Sequence, residues 1–195
     1  SEVIKNILYL FQKIHTKEQL QDLIYNIFFK FGLSMPVNFS SYNDFNDANM
    51  NILHVSTGGL GLSDRDYYLE ESKKEDLSEY KKYLASYARL FNLNLDIEGI
   101  IKLETEFAKN TYTNVQKRDP NLMDNLITFD NFNLKYPELN LSKIFDILNI
   151  NSRGGRKVNL LNPNFLKNGK NGFIELWNNL SFELWYDYFL LYYLR

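Results

Sequence analysis

The sequence predicts a mainly α-helical fold with a small β-hairpin or sheet. Apolar residues recur at helical spacing over most of the chain. Two short runs rich in β-branched and aromatic residues lie between Val37 and Ser56, where hairpin strands are expected. Helix-capping residues precede several of the helical runs. We expect a single region over residues 1–195, because no linker, repeat or change in composition divides the chain.

The order of elements follows from these patterns. A capping box at Thr16 and Gln19 predicts the start of the second helix, and Gly32 predicts its end. Asp96, Asn162 and Ser181 are predicted N-caps of later helices. Helices are predicted over 3–14, 17–31, 76–91, 97–108, 127–132, 142–148, from 163 onward and over 182–195, and strands over 37–44, 51–56 and 158–161, with a polar turn over 43–50.

The composition excludes several classes of function. The net charge of −2 argues against electrostatic binding of nucleic acid. The absence of cysteine removes disulfides and thiol chemistry. No apolar stretch approaches the roughly 20 residues of a membrane-spanning helix, so no span is expected in this chain. Nothing in the composition indicates a cellular compartment.

The most distinctive stretch is a glycine-containing loop that follows the second predicted strand. Gly58, Gly59 and Gly61 permit backbone angles that a side chain would forbid, so they predict a tight loop. Leu60 and Leu62 alternate with glycines and are expected to pin this loop to the core. A phosphate-binding loop is excluded, because the lysine and the spacing of such loops are missing.

A helix is expected directly after the loop. Ser63 is its predicted N-cap, with Asp66 in the position of a capping box. Asp64 and Asp66 would favour the positive end of the helix dipole, and Arg65 between them is expected to help fix the loop. Inward packing is predicted for the next three residues, Tyr67, Tyr68 and Leu69.

Residues 58–68 resemble a run found in neprilysin-type zinc metallopeptidases. The chain reads G-G-L-G-L-S-D-R-D-Y-Y, and the family run reads G-L-G-L-P-x-R-D-Y-Y. Ser63 stands where the family usually has proline, and both residues suit the start of a helix. Further similarities follow in the family order at Leu103-Glu104-x-x-Phe107-Ala108, Arg118-Asp119-Pro120 and Asn162-Pro163. The resemblance covers nearly the whole chain and points to the amino-terminal region of these enzymes.

The resemblance implies zinc-dependent hydrolysis of peptides by a complete enzyme. The amino-terminal region would be multi-helical and would help to enclose the substrate chamber, while the catalytic half lies elsewhere on the same chain or on a separate one. The family zinc site requires H-E-x-x-H. The only histidines are His15 and His54, and neither is followed by glutamate. We therefore expect no catalytic residue and no metal ligand in this chain.

Three charged clusters have both a functional and a structural interpretation. Glu104 interrupts an apolar helix face and is either a catalytic acid or, in the favoured interpretation, one half of an ion pair with Arg118, or with Arg89 or Arg65. Asp64, Arg65 and Asp66 could form an acid–base cluster, and the favoured interpretation is that they cap a helix and fix its loop. The 153–157 segment, R-G-G-R-K, either forms a solvated turn or holds an anion.

An alternative function remains open from the sequence. The aromatic helix over 181–195 ends without a stop signal, which favours further chain or a partner on its surface. A stand-alone, catalytically inactive interaction or structural module would use this helix as a docking face.

Overall fold

The chain begins with two amphipathic helices, α1 (Glu2–Phe11) and α2 (Lys17–Phe31). In this computed structural model, residues 2–148 and 156–195 are described. Thr16 caps α2 by accepting from the amide of Gln19, and Gly32 ends it in the left-handed conformation at φ 67°. The first helix is shorter than the predicted range of 3–14, because α1 ends at Phe11 and a turn precedes Thr16.

The middle of the chain supplies the hairpin and two long helices. The strands are β1 (Val37–Asp44) and β2 (Asp47–Thr57), and a one-turn helix α3 (Asp66–Leu69) follows the glycine loop. Helices α4 (Lys74–Leu90) and α5 (Ile97–Asn110) come next. The predicted polar turn over 43–50 is wrong in length, because only Phe45 and Asn46 separate the two strands.

The last part of the chain is a series of short elements followed by one long helix. Asn162 and Ser181 cap α9 and α11 as predicted, each accepting from the amide three residues ahead. These elements are α6 (Pro120–Met123), β3 (Leu126–Thr128), α7 (Phe129–Lys135), α8 (Leu141–Leu148), β4 (Lys157–Leu160), α9 (Pro163–Leu166), α10 (Phe173–Asn179) and α11 (Phe182–Leu194).

The four strands form one mixed sheet in the order β1-β2-β4-β3. β1 and β2 are antiparallel, β2 and β4 are parallel, and β4 and β3 are antiparallel. The helix predicted over 127–132 is therefore wrong at its start, because Leu126–Thr128 pairs with residues 157–159 of β4. The mainly α-helical class with a small sheet is confirmed.

The core is built around α11 and α5. Trp185 in the first turn of α11 is fully buried, and its indole Nε1 donates to the carbonyl of Leu176 at 3.3 Å. Phe107 of α5 contacts the rings of Trp185 and Tyr188 at centroid distances of 6.2 and 5.6 Å. α11 also reaches the start of the chain, where Tyr186 packs edge-on against Phe11. Burial of these large rings is the main source of stability here.

None of the helices in the described residues combines the length and the apolar character that crossing a membrane requires.

Candidate functional site

A buried carboxylate lies at the centre of the most polar part of the core. Glu104 on α5 is fully buried, and it accepts from the hydroxyl of Tyr68 at 2.6 Å and from that of Tyr80 at 3.2 Å. Arg195 supplies the counter-charge, with its guanidinium nitrogen 3.0 Å from the same carboxylate. Arg195 also contacts the Tyr80 hydroxyl. We call Glu104, Tyr68, Tyr80 and Arg195 the buried polar cluster.

The buried polar cluster holds the glycine loop. The hydroxyl of Tyr68 accepts from the backbone amides of Gly61 and Leu62, both at 3.0 Å. An added Cβ at Gly61 would overlap the Tyr80 hydroxyl and the Arg195 guanidinium. Glycine is therefore required at this position, because the backbone passes directly over the cluster.

A second glycine of the loop is fixed by α11. Gly59 is buried at φ 90°, a conformation that other residues rarely adopt. Its carbonyl accepts from the Tyr188 hydroxyl at 2.6 Å, and an added Cβ would come within 3.1 Å of the Pro36 ring. The amide of Gly58 donates to the Pro36 carbonyl at 2.8 Å, while Leu60 and Leu62 pack half-buried against the core.

The cap of α3 differs from the prediction. Ser63 is exposed and lies before the helix, whose N-cap position is occupied by Arg65 without a side-chain bond. Asp64 instead accepts from the Asp66 amide at 3.0 Å, because the loop continues two residues beyond Ser63 before the helix starts. This bond lowers the pKa of Asp64, and burial opposes it only partly.

The remaining polar residues of this segment attach it to the end of α5. Asp64 also accepts from the Asn114 side chain at 2.7 Å, and Arg65 donates to the Thr111 carbonyl at 2.7 Å. Tyr67 is half-buried, with the Lys73 ammonium 5.0 Å from its ring centroid. These contacts hold the segment in place and leave no free acid–base pair at the surface.

The electrostatics of the buried polar cluster favour one protonation state. Burial and the Glu104 charge raise the pKa of Tyr68 and of Tyr80 far above the ordinary phenol value. Burial is the largest single influence on the pKa of Arg195 and lowers it, but Glu104, Tyr80 and Tyr188 together outweigh burial and the net shift is upward. Two neutral phenols thus surround one ion pair at neutral pH. With its carboxylate sealed from solvent and fully bonded, the cluster is built to hold structure and not to exchange protons with a substrate.

The predicted partner of Glu104 was wrong. Arg118 is exposed in a short turn after α5, and the carboxylate pairs with Arg195 instead. The two partners are 91 positions apart in sequence. Only the packing of α11 against α5 brings them together, so a sequence pattern gives no direct signal for this pair.

Neither histidine is placed to bind a metal with other ligands. His15 is exposed in the turn before α2. His54 is buried in β2, with Nε2 3.0 Å from the Asn43 carbonyl and Nδ1 3.4 Å from the Asn159 side-chain nitrogen. Within residues 2–148 and 156–195, no group of three His, Cys, Asp or Glu side chains converges. These residues do not fit a zinc site of three protein ligands.

A large cleft opens beside the outer half of the hairpin. Its volume is about 1010 Å³, at the upper end of the range of ligand pockets. Its aromatic lining comes from Phe29 of α2, Phe39 of β1, Phe129 of α7 and Phe145 of α8. Charged residues of both signs also line it: Asp44 and Asp47 from the hairpin, and Arg156 and Lys157 from the start of β4.

Sequence reasoning did not identify this cleft. Its walls come from six elements, α2, β1, β2, α7, α8 and β4, and no single segment carries a pattern that indicates a pocket. Of the R-G-G-R-K segment, Arg153, Gly154 and Gly155 lie outside the described residues, and Arg156 and Lys157 line the cleft.

Comparisons with known proteins identify the family. The amino-terminal model of Peptidase family M13 matches residues 1–195. Mouse neprilysin is 28% identical over 159 residues, which are 70% of this chain and 21% of that protein. Endothelin-converting enzyme 1 of the guinea pig, Cavia porcellus, is 29% identical over 119 residues, 55% of this chain and 16% of that protein. The chain thus spans about a fifth or less of the length of these relatives.

Solved structures show the same fold. The zinc metalloprotease ZMP1 of Mycobacterium tuberculosis in its open state superposes with a TM-score of 0.83 at 19% identity, over 99% of this chain and 30% of that one. PepO from Lactobacillus rhamnosis gives a TM-score of 0.74 at 16% identity, again over 99% of this chain and 30% of that one. The chain belongs to Peptidase family M13, as an amino-terminal region of the neprilysin type.

Proposed function

We propose that this chain is the amino-terminal part of a zinc-dependent metalloendopeptidase that hydrolyses peptides. In this proposal it forms part of the wall of the substrate chamber. The zinc ligands and the groups that cut the peptide bond lie on a catalytic half outside residues 1–195, on the same or a separate chain.

The observation that carries the proposal is the family match over the whole chain combined with the small share of each relative that it covers. The described residues also provide no converging ligand set for zinc. A polypeptide of this family that is a fifth of the length of its relatives must obtain its catalytic groups from elsewhere to act as a peptidase.

The geometry of the buried polar cluster is suited to a rigid wall of the substrate chamber. The buried polar cluster ties α3, α4, α5 and α11 to one loop through hydrogen bonds of 2.6 to 3.2 Å. A fully satisfied buried network of this kind rigidifies the segments it joins. Rigid walls are useful in a peptidase, because a chamber restricts substrates only if its shape is maintained.

The experiment compares two polypeptides. One is the 195-residue chain, and the other is the same chain with the polypeptide encoded downstream of Arg195, or with a co-expressed catalytic half carrying H-E-x-x-H. We expect the longer or paired form to hydrolyse a quenched fluorescent peptide and to lose this activity to a chelator. We expect the 195-residue chain alone to show no hydrolysis and no bound zinc by elemental analysis. Stoichiometric zinc and hydrolysis in the 195-residue chain would overturn the proposal.

The alternative of a docking module loses its main support. The helix predicted as a docking face, α11, is covered by this chain itself, and its residues Trp185, Tyr188, Phe189 and Leu190 are each at most 2% exposed. The aromatic content of α11 is explained by its central place in the core.

A further inference from the structure

β1 is the exposed edge of the sheet. It stands first in the strand order, and no described strand pairs with its outer side. The opposite edge, β3, is only three residues long, whereas β1 has eight. Natural proteins usually protect long edges with lysine, proline or a covering segment. The β1 sequence V-N-F-S-S-Y-N-D contains neither lysine nor proline, and residues 40–43 are all exposed.

The outward backbone groups of β1 follow from the hydrogen-bond alternation. The amide of Gly58 donates to the Pro36 carbonyl, so this pair is of the hydrogen-bonded kind. In an antiparallel ladder such pairs alternate with pairs whose amides and carbonyls point away from the partner strand. Residues 38, 40 and 42 therefore bond to β2. Phe39 and Ser41 direct their amides and carbonyls away from β2, and of the two only Ser41 is exposed, whereas Phe39 is buried.

Part of the cleft lining lies on the face of the sheet that carries the Phe39 and Ser41 side chains. Phe39 faces Val55 and Ser41 faces Leu53 across the β1–β2 ladder, so their side chains share one face of the sheet. Phe39, Ser41 and Leu53 line the cleft, together with Phe29 and Phe145. A strand added to β1 would place every second side chain over this apolar surface.

The charges of the cleft indicate the chemistry of the occupant. Asp44 and Asp47 carry negative charge, and Arg156 and Lys157 carry positive charge. A lining of mixed sign disfavours a polyanion such as nucleic acid, which requires a predominantly basic surface. It matches a peptide, whose ends and side chains carry both signs and whose backbone offers alternating donors and acceptors.

We propose that the free edge of β1 and the adjacent cleft bind an extended peptide by strand addition, with a bulky apolar side chain seated among the cleft phenylalanines. This inference rests on the proposed function, because the peptide would be a substrate segment held at the wall of the chamber. Main-chain hydrogen bonds give such a site its affinity, and the apolar pocket gives it preference for side chains.

The first test addresses the main chain. The probe is a fluorescein-labelled peptide with leucine at every second position and threonine between, titrated into the 195-residue chain by fluorescence anisotropy. Ser41→Pro removes the outward amide and spares the β1–β2 ladder, and proline is tolerated at such edge positions. Ser41→Ala keeps the amide and is the matched control. We expect affinity to fall about tenfold in Ser41→Pro and to be unchanged in Ser41→Ala.

The second test addresses the cleft. Met50 lines it and is 55% exposed, whereas Leu134 on α7 is 82% exposed and lies outside the lining. We expect Met50→Ser to weaken binding of the leucine probe severalfold and Leu134→Ser to leave it unchanged. Thermal unfolding of each variant confirms that the fold is retained, and hydrogen exchange of the Ser41 amide should slow when the probe binds.

Four results would overturn the inference. The first two are that the probe does not bind, or that Ser41→Pro binds it as tightly as the wild type. The third is a concentration-dependent dimer whose interface slows hydrogen exchange at the Ser41 amide. The fourth is that the catalytic half alone, without peptide, slows exchange at this amide. The proposed function is tested separately in the active longer or paired form. There the inference expects Ser41→Pro to raise KM with kcat unchanged, whereas an inactive wild type would count against the proposed function and not against peptide binding.

Discussion

The hydroxyl of Tyr68 lies 2.6 Å from the Glu104 carboxylate and 3.0 Å from the amide nitrogens of Gly61 and Leu62. One phenol thus joins the glycine loop to a buried acid on α5. The hydroxyl donates once and accepts twice, which uses its full hydrogen-bonding capacity. The loop is therefore held through a carboxylate that lies 36 positions away from Tyr68 along the chain.

Replacing the buried acid should be strongly destabilising. In Glu104→Ala the Arg195 guanidinium loses its counter-charge inside the core, and we expect the free energy of unfolding to fall by about 3–5 kcal/mol. Urea unfolding followed by tryptophan fluorescence measures this change. Glu79→Ala on α4 is the control, because Glu79 is 65% exposed in its pair with Lys82 and should cost less than about 1 kcal/mol. Similar losses in both variants would contradict the structure.

Removing the linking hydroxyl should release the loop. Tyr68→Phe leaves the amides of Gly61 and Leu62 and one Glu104 oxygen without their partner, so we expect a loss of at least about 2 kcal/mol. Tyr83→Phe, at an exposed position on α4, should change stability by less than about 0.5 kcal/mol. Amide hydrogen exchange should accelerate at residues 61 and 62 in Tyr68→Phe, and unchanged exchange there would refute the link.

Two glycines allow backbone strain to be separated from steric overlap. Gly59 and Gly169 both have positive φ, at 90° and 62°. An added Cβ at Gly169 meets nothing within 4 Å, whereas at Gly59 it meets the Tyr188 hydroxyl and the Pro36 ring. We expect Gly169→Ala to cost about 1 kcal/mol and Gly59→Ala at least about 1 kcal/mol more. Equal shifts in thermal unfolding would show that the loop can move away.

A pH dependence is expected at Asp187. Burial raises its pKa, with contributions from Asp96 and Glu183, although the Asp96 amide donates to it at 2.9 Å and opposes the shift. The folded chain therefore binds this proton more readily than the unfolded chain, and stability falls as pH rises above the ordinary value of 3.8 through the raised one.

Asp187→Asn tests this sign. The amide oxygen of asparagine retains the bond from the Asp96 amide and removes the charge. We expect a higher melting temperature than wild type in neutral buffer, and a smaller difference in acidic buffer, where the carboxyl of the wild type is protonated. Differential scanning calorimetry at both pH values measures the two differences. An equal difference at both would show that the charge of Asp187 is not the cause.

Local signals predicted much of the fold. Thr16, Asp96, Asn162 and Ser181 each accept from the backbone amide three residues ahead, as their sequence context indicated. Capping depends only on neighbouring residues, so the sequence carries it directly.

Features that depend on distant residues were not predicted. The strand at Leu126–Thr128 exists because β4 lies beside it, and its own sequence also suits a helix start. The pairing of Glu104 with Arg195 needs α11 to cross α5, and the cleft needs six elements to meet. In each case tertiary contacts decide between alternatives that local patterns leave open.

The parallel pairing of β2 with β4 has a consequence for biosynthesis. Residues 53–55 of β2 can pair with β4 only after residues 158–160 have been synthesised. Likewise, Phe11 of α1 is covered only after α11 has formed. A nascent chain leaving the ribosome therefore exposes its first helix and the inner side of its hairpin until nearly all 195 residues have emerged. Such non-local closure slows folding and makes it cooperative, so a polypeptide cut before Phe182 should be recognised by chaperones instead of persisting as a shorter folded unit.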